Sequence, residues 1–387
     1  MAKSKIKILY IITVSDTGGA QKYARDLQAH LDTSRFSSSI LYGGKDINWL
    51  SNKSGFFFYH DIRALFELVA LYKSENPDII HLNSSKAGVI GAFAAKIANF
   101  RHVTNNKRHI RVIFTAHGWV FNPSNHLSWF HRVFYILLHK FAGSITHHTI
   151  TVSSHDYHLA LNHHIAPEDK LTVIHNGIDY DNLHFIDKVS ARAVLTEKLK
   201  TENLQHIEDK QWIGSIGRLT KEKDYITLIK VAQSVKDAYF FIIGDGREKK
   251  NLQQITNNLR LTERFFFVSP TGEDAQYLKA FDIFALTSIK EGLPYILLEA
   301  CAAKIPSVVT SAGGMPEIIS DNESGYIVPL KNPMLFAERI TDLIKNNAVQ
   351  EKFSNAAYTR IQKEFSLKEM LYKTEYIYTK IYTSFPR

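Results

Sequence analysis

Phe281-Asp-Ile-Phe-Ala-Leu-Thr-Ser-Ile-Lys-Glu291-Gly-Leu-Pro-Tyr-Ile-Leu-Leu-Glu299 reads as a strand, a turn and a helix in succession. Phe281–Leu286 is apolar and of strand length. Gly292 and Pro294 suit a tight turn into a helix, because glycine permits unusual dihedrals and proline is tolerated at a helix start. Ile296–Ala303 is helix-like and stops before Lys304-Ile-Pro306. Glu291 and Glu299 bracket this turn, and backbone N–H groups left free at a helix start attract an anion. A strand end, a turn with free amides and a carboxylate on either side together read as a nucleotide pocket.

The same strand-to-helix alternation extends in both directions. Toward the N-terminus we expect strands at Lys7–Val14, Ser38–Gly43, Phe56–Tyr59, Pro77–Asn83, Val112–Ala116, Ile150–Ser153 and Leu171–Ile174. Helices are expected at Ala20–Leu31, Ile62–Lys73, Ala87–Ala98, Ser128–Phe141 and Ser154–His163. A polar stretch with one helical piece, Ala191–Leu199, precedes a second series, from strand Trp212–Gly217 to Gly325–Pro329, in which Ala275–Ala280 reads as a helix. Three helical runs close the chain. Strands alternating with helices indicate doubly wound parallel sheets. We therefore expect a Rossmann-like domain at 1–180, a linker and entry helix at 181–210, and a second Rossmann-like domain at 211–365. A final helix, 366–387, is expected to pack back on the first domain. The default ligand site in such a plan is a cleft at strand C-terminal ends, where the two domains face each other.

A chain of 387 residues with 45% apolar and 22% charged residues is ordinary for two globular domains. The formal charge of +9 is uneven: residues 1–150 hold 18 Lys/Arg against 8 Asp/Glu, and seventeen of the eighteen histidines lie at or before His184. A basic half favours an anionic partner. Cys301 is the single cysteine, so no internal disulfide and no cysteine-based zinc site exist; its apolar run reads as buried core. The basic N-terminus runs through Ile8–Val14 into Asp16-Thr-Gly-Gly without a cleavage site, and reads as a first strand rather than a signal peptide. No stretch has the length of a membrane-spanning helix.

Several strand ends carry chemistry. Gly217-Arg-Leu-Thr-Lys-Glu-Lys-Asp224 places Arg218 and Lys223 beyond a buried strand, where a planar fork and a point charge would meet phosphate oxygens. His117 ends another strand before Gly118, although a lone histidine is more often structural. Gly18-Gly19 follows the first strand and reads equally as a simple turn. Gly244-Asp-Gly246 lacks the third glycine of a dinucleotide fingerprint, which argues against a dehydrogenase.

Taken in order, Gly18-Gly19, His117, Asn176-Gly-Ile-Asp179, Gly217-Arg218 with Lys223, Gly244-Asp-Gly246, Glu291 with Glu299, and Gly313-Gly-Met-Pro-Glu317 resemble the motif set of glycosyltransferase family 4. The resemblance runs from about residue 7 to 330, and the two glutamates with seven residues between them are its most specific part. It implies the GT-B fold, two tandem Rossmann-like domains. It also implies retaining transfer of a sugar from a nucleotide diphosphate sugar, without a cofactor or required metal. Carried over, Arg218 and Lys223 would bind the donor diphosphate, Glu291 the transferred sugar and Glu299 the ribose. The backbone of Leu293, Pro294 and Tyr295 would cradle the phosphates. Gly18, Gly19 and Gly244 would line the donor, and His117 would lie near the sugar's 6-position. No carboxylate is placed as a covalent nucleophile, so the two-carboxylate logic of glycosidases transfers poorly.

Thr287-Ser288 stands where the family often has Pro-Ser, and Ser269-Pro270 replaces a commoner apolar–Gly pair. Both touch the base-binding side, where UDP is expected in preference to GDP. Residues 119–148 mix aromatics, apolar residues and cations. They read either as a buried helix or as a segment at an anionic membrane surface, suited to a lipid-linked or oligosaccharide acceptor. No nucleic-acid motif appears. The expectation is a peripheral enzyme of surface-polysaccharide biosynthesis on the inner, cytoplasmic face of the cell membrane. The rival readings are an epimerase or phosphorylase on the same fold, and a membrane-binding module without catalysis.

Overall fold

The computed structural model describes residues 5–14, 18–51, 58–102, 109–125, 127–199 and 210–384. The chain forms two compact units: Met1–Asn176 together with Leu367–Arg387, and Gly177–Ser366.

The first unit runs β1 (Ile6–Ile12), α1 (Gly19–His30), β2 (Phe36–Tyr42), α2 (Phe58–Glu75), β3 (Ile79–Leu82), α3 (Ser85–His102), β4 (Arg111–Ala116), α4 (Trp129–Ile145), β5 (His148–Thr151), α5 (Ser154–Asn162) and β6 (Leu171–Val173). Its six strands lie parallel in the order β2-β1-β3-β4-β5-β6. β3, β4 and β5 are buried along their whole length, which is why β3 and β4 read as mostly apolar runs instead of alternating ones. Ala87, Ala94, Ala95 and Ala98 let α3 lie against this sheet, with Leu68 and Tyr72 of α2 in the same core.

The second unit runs α6 (Lys188–Leu199), β7 (Gln211–Ile216), α7 (Tyr225–Ser234), β8 (Ala238–Ile243), α8 (Lys249–Asn258), β9 (Phe265–Val268), β10 (Ile283–Leu286), α9 (Tyr295–Ala302), β11 (Ser307–Thr310), α10 (Met315–Ile318), β12 (Tyr326–Val328), α11 (Pro333–Lys345) and α12 (Asn347–Glu364). Its strands are again parallel, in the order β12-β11-β10-β7-β8-β9. Asp282 fastens α6 to this sheet. It accepts from Arg192 Nη2 at 2.7 Å, Lys188 Nζ at 2.5 Å and the Trp212 amide at 2.6 Å. Trp212 stacks on Phe241 with ring centroids 4.0 Å apart, and Cys301 is buried.

The last helix, α13 (Leu367–Ser384), belongs to the first unit. Its Tyr378 hydroxyl lies 3.0 Å from Tyr10 Oη and 2.6 Å from His81 Nδ1, all three groups buried. Glu375 accepts from the Asp32 amide at 2.9 Å and from Arg35.

Four expectations are corrected. Residues 58 and 59, read as the end of a strand, open α2; residues 56 and 57 lie outside the described set, as do 1–4, 15–17 and 200–209. Asp274–Ala280 is a tight 3-10 turn instead of an α-helix. The strand expected at Ile150–Ser153 begins earlier, at His148, because the polar His148 and Thr149 are nonetheless buried in the sheet. The segment 119–148 is not interfacial as a whole. Trp119, Phe121 and His139 are core residues, with Trp119 Nε1 donating to the Asp156 carbonyl at 2.8 Å.

Candidate active site

Parallel strands put their C-terminal ends on one edge of a sheet, and in the second unit β7, β8, β10 and β11 all end among the residues singled out by sequence. After β7 the chain makes a 3-10 turn over Lys221–Lys223 and reaches Asp224 in the left-handed region, φ 45° and ψ 47°. The Thr287 hydroxyl, just past β10, donates to the carbonyls of Lys223 or Asp224 at 3.1 Å, and the Ile289 amide donates to the Glu222 carbonyl at 2.8 Å. These bonds fasten the β7 loop to the β10 loop.

The result is an ion pair. Lys223 Nζ donates to Glu291 Oε1 at 2.6 Å, and Ser288 Oγ donates to the same oxygen at 2.6 Å. Both charged side chains are mostly buried. Lysine carries three N–H donors and carboxylate oxygens accept several bonds, so both groups keep capacity for a ligand. Glu291 Oε2 takes part in neither bond. Arg218 is exposed at the end of β7. Burial pulls the Glu222 carboxyl upward, but its own amide, the Thr220 hydroxyl and the cations Lys290 and Arg218 prevail and hold it below its usual range. On this strand edge Arg218, Lys221, Lys223 and Lys290 thus stand among the carboxylates of Glu222, Asp224 and Glu291.

Two glycines here are required by backbone contact. A Cβ on Gly313, whose φ is +55°, would stand 2.0 Å from the Glu291 carbonyl oxygen, and the neighbouring Gly314 amide donates to the Gly292 carbonyl at 2.7 Å. A Cβ on Gly244 would stand 2.0 Å from the Gly217 carbonyl oxygen. Gly244 therefore has a packing reason for being glycine: it brings the ends of β7 and β8 together. Leu293, Pro294 and Tyr295 lead into α9, where the Leu297 amide turns back to the Pro294 carbonyl at 3.1 Å. Pro294 has no N–H, so at most two amides of this trio face an anion. Glu299 is buried on α9.

In the first unit His117 follows β4 and precedes Gly118, whose φ of 101° suits only glycine well. Its ring meets Tyr23 edge-on at 4.9 Å, and Nε2 lies 3.5 Å from Asn83 Oδ1. Burial pushes the imidazole well below its ordinary pKa, so it is neutral at physiological pH. Behind it, His81 Nε2 meets Thr115 Oγ1 at 2.7 Å and Asn83 Nδ2 donates to the His81 carbonyl at 3.0 Å. Gly18 adopts extended backbone (φ 179°) that any residue takes, and Gly19 begins α1. Among the described residues no group of three or more His, Cys, Asp or Glu is gathered as metal ligands would be, and no helix is long and apolar enough to cross a membrane.

Sequence reasoning missed Asn83 and His81, and named Ser288 only as a departure on the base-binding side, not as a partner of Glu291. Ser288 was visible as a hydroxyl three residues before Glu291, and Asn83 as a polar residue closing an apolar strand.

Two tandem six-stranded parallel sheets, with a cation–carboxylate pair at the strand ends of the second, have the architecture of the GT-B fold. A family model described as Glycosyltransferase Family 4 matches residues 17–182, and one described as Glycosyl transferases group 1 matches residues 197–360. The chain belongs to glycosyltransferase family 4. It is 25% identical over 361 residues to the UDP-Gal:alpha-D-GlcNAc-diphosphoundecaprenol alpha-1,3-galactosyltransferase of Escherichia coli, covering 88% of this chain and 89% of the relative. It is 23% identical to the capsular polysaccharide biosynthesis glycosyltransferase CapM of Staphylococcus aureus, over 96% of each chain. The crystal structure of Anabaena HepE in complex with UDP shares the fold at a TM-score of 0.75 and 18% identity, covering 97% of this chain and all of that one.

Proposed function

We propose that this glycosyltransferase moves a sugar, with retention at the anomeric carbon, from a UDP-sugar to a hydroxyl of a lipid-linked or glycan acceptor in bacterial surface-polysaccharide biosynthesis. The observation that carries the reading is the Lys223–Glu291 pair, held by Ser288 at 2.6 Å at the strand ends of the second unit. A relative named for a UDP-galactose donor and a diphosphoundecaprenol-linked acceptor supports the substrate classes. Such acceptors sit in a membrane, which favours work at its inner face.

In this mechanism the acceptor oxygen forms the new bond to C1 on the face from which the C1–O bond to the diphosphate breaks. The acceptor proton passes to a departing phosphate oxygen. The leaving diphosphate gains negative charge, and preorganised cations at that position lower the barrier. Arg218 and Lys223 fill this role and replace a divalent ion. Glu291, already anchored through Oε1, offers Oε2 to a sugar hydroxyl. Glu299 takes the ribose diol, and the backbone of Leu293–Tyr295 lies along the phosphates, beside Gly244. Gly18 and Gly19 open α1 beside the diphosphate or acceptor. Neutral His117 meets the sugar's 6-position as a hydrogen-bond partner, not as a cation.

The test is UDP release from a panel of UDP-sugars with and without a polyprenyl diphosphate-sugar acceptor, followed by NMR of the product's anomeric coupling. Acceptor-dependent release with retained configuration, unchanged by EDTA, is expected. UDP-sugar interconversion without acceptor would replace transfer by epimerisation. An inverted product would overturn the retaining mechanism, and loss of activity in EDTA the metal-independent one.

A further inference from the structure

The part of α4 that is not core carries a line of uncovered aromatic surface. Phe130, Phe134, Leu137 and Phe141 are spaced by four, three and four residues, so they form one stripe along the helix, and all are exposed, Phe130 by 76%. Trp129, at the head of the stripe, is 67% exposed and meets Phe130 edge-on at 4.7 Å. The stripe does not end with α4. Phe141 stacks on Phe93 of α3 at 4.7 Å, and Phe93 lies in register with exposed Ile97 and with Phe100, 83% exposed. α2 packs along α3 and adds Ile62 and Phe66.

The two helices that carry most of this face, α3 and α4, hold cations and no acid. Residues 101–150 contain six Lys/Arg and no Asp or Glu, and α3 has no acid either. Lys96 Nζ stands 5.6 Å from the Phe141 ring centroid, with Lys140 and exposed His131 along α4, whereas Arg132 turns to the inner side and donates through Nη2 to the Pro123 carbonyl at 3.1 Å. The acids of α2 nearest the face are engaged: Asp61 pairs with Lys86 at 2.8 Å, and Glu67 accepts from the amides of Asn48 and Trp49. The inner side of α4, His139 and Ala142, is core, so the helix cannot leave the unit to span a bilayer.

We infer that the α3–α4 face of the first unit docks flat on an anionic lipid bilayer. Trp129, Phe130, Phe134, Phe141 and Phe100 enter the headgroup–acyl boundary, while Lys96 and Lys140 face acidic headgroups. Aromatic residues on one side of a helix with flanking cations are the composition that holds a helix in the plane of a membrane surface, and each basic residue near an anionic surface strengthens binding several-fold. A soluble protein partner would satisfy the apolar stripe but gives no account of the cations on acid-free α3 and α4. The inference deepens the lipid-linked-acceptor reading and rests on it for its purpose, since docking brings the first unit to the surface where such an acceptor lies.

The full chain is co-sedimented with vesicles of phosphatidylglycerol and phosphatidylcholine, and with phosphatidylcholine alone. The wild type should bind the anionic vesicles, with affinity falling steeply as salt rises and with a blue shift of emission that Trp129→Phe abolishes. Phe100→Ser/Phe130→Ser/Phe134→Ser, all at exposed positions, should weaken binding at least about 30-fold, and Lys96→Glu/Lys140→Glu at least about 10-fold on anionic vesicles alone. Equal binding by the wild type and the triple aromatic variant overturns the inference. So does a wild-type dimer that the triple variant splits while vesicle binding stays the same, which would make this a self-association surface. Transfer to a lipid-free acceptor analogue separates the two readings. Lost vesicle binding with intact transfer supports docking, whereas vesicle binding by a wild type inactive on every acceptor removes the transfer reading and leaves docking standing.

Discussion

Lys223 Nζ lies 2.6 Å from Glu291 Oε1 although 68 residues separate them. Three loop features hold the pair: Asp224 in the left-handed region, the Thr287 hydroxyl on the Lys223 and Asp224 carbonyls, and Ser288 on the same glutamate oxygen. The ammonium is thus positioned before any ligand arrives, which is the condition under which a charge partner acts on a transition state without reorganisation cost.

Removing that charge should appear in turnover. Lys223→Ala and Arg218→Ala are each expected to lower kcat for sugar transfer at least about 100-fold, the scale of one lost transition-state charge partner. Initial rates of UDP release at saturating acceptor measure this, with circular dichroism confirming the fold. Near-normal rates in either variant would remove that residue from the diphosphate.

Gly313→Ala tests the turn beneath Glu291. The native φ of +55° costs a Cβ-bearing residue about 1 kcal/mol or more, and the 2.0 Å approach to the Glu291 carbonyl forces the backbone apart as well. The variant should lose at least about 2 kcal/mol of stability, and transfer should fall with it as Glu291 shifts. A urea titration and a rate assay decide this. Unchanged stability would mean that the loop relaxes freely and that Gly313 does not set the position of Glu291.

The doubly wound plan was legible because β3, β4, β7, β8 and β10 are apolar runs closed by polar or glycine-containing turns, a local signal. Lys223 and Glu291 were legible as residues of a pattern, but their ion pair was not. It depends on where Thr287 and Ser288 send their hydroxyls, and one residue of backbone shift would undo it. The aromatic segment 119–148 was ambiguous for a similar reason. Composition cannot distinguish Trp119, inside the core, from Trp129, outside it; helix phase and the packing of α3 decide. The network joining His81, Tyr10 and Tyr378 links residues 297 and 368 positions apart, and no periodicity reports such contacts.

That network yields a third expectation. Tyr378→Phe keeps the ring against Phe36 but removes the hydroxyl shared by Tyr10 and His81. His81 Nδ1 then loses this buried partner, at a cost of about 1–3 kcal/mol. Hydrogen exchange should quicken in β1, β3 and α13 while β7 and β8 exchange as before. Equal quickening in both units would show that the two sheets unfold as one cooperative body, which would sink the local account.

His139 makes the stability of the first unit depend on pH. Its ring is buried among Phe114, Trp119 and Phe121, and burial pushes its pKa down to about 4. The unfolded chain, with a histidine pKa of about 6.5, binds more protons than the folded one between these two values. The contribution is therefore full above about pH 6.5 and is lost as pH falls toward about 4. His139→Leu removes the titrating group and keeps an apolar side chain at the site. Between about pH 7.5 and about pH 5 the variant should lose about 2 kcal/mol less stability than the wild type. Urea midpoints at the two pH values, with matched denaturant slopes, measure the difference. Parallel losses in the two proteins would mean that the ring is already protonated in the folded state, held by a counter-charge or water beside Nε2.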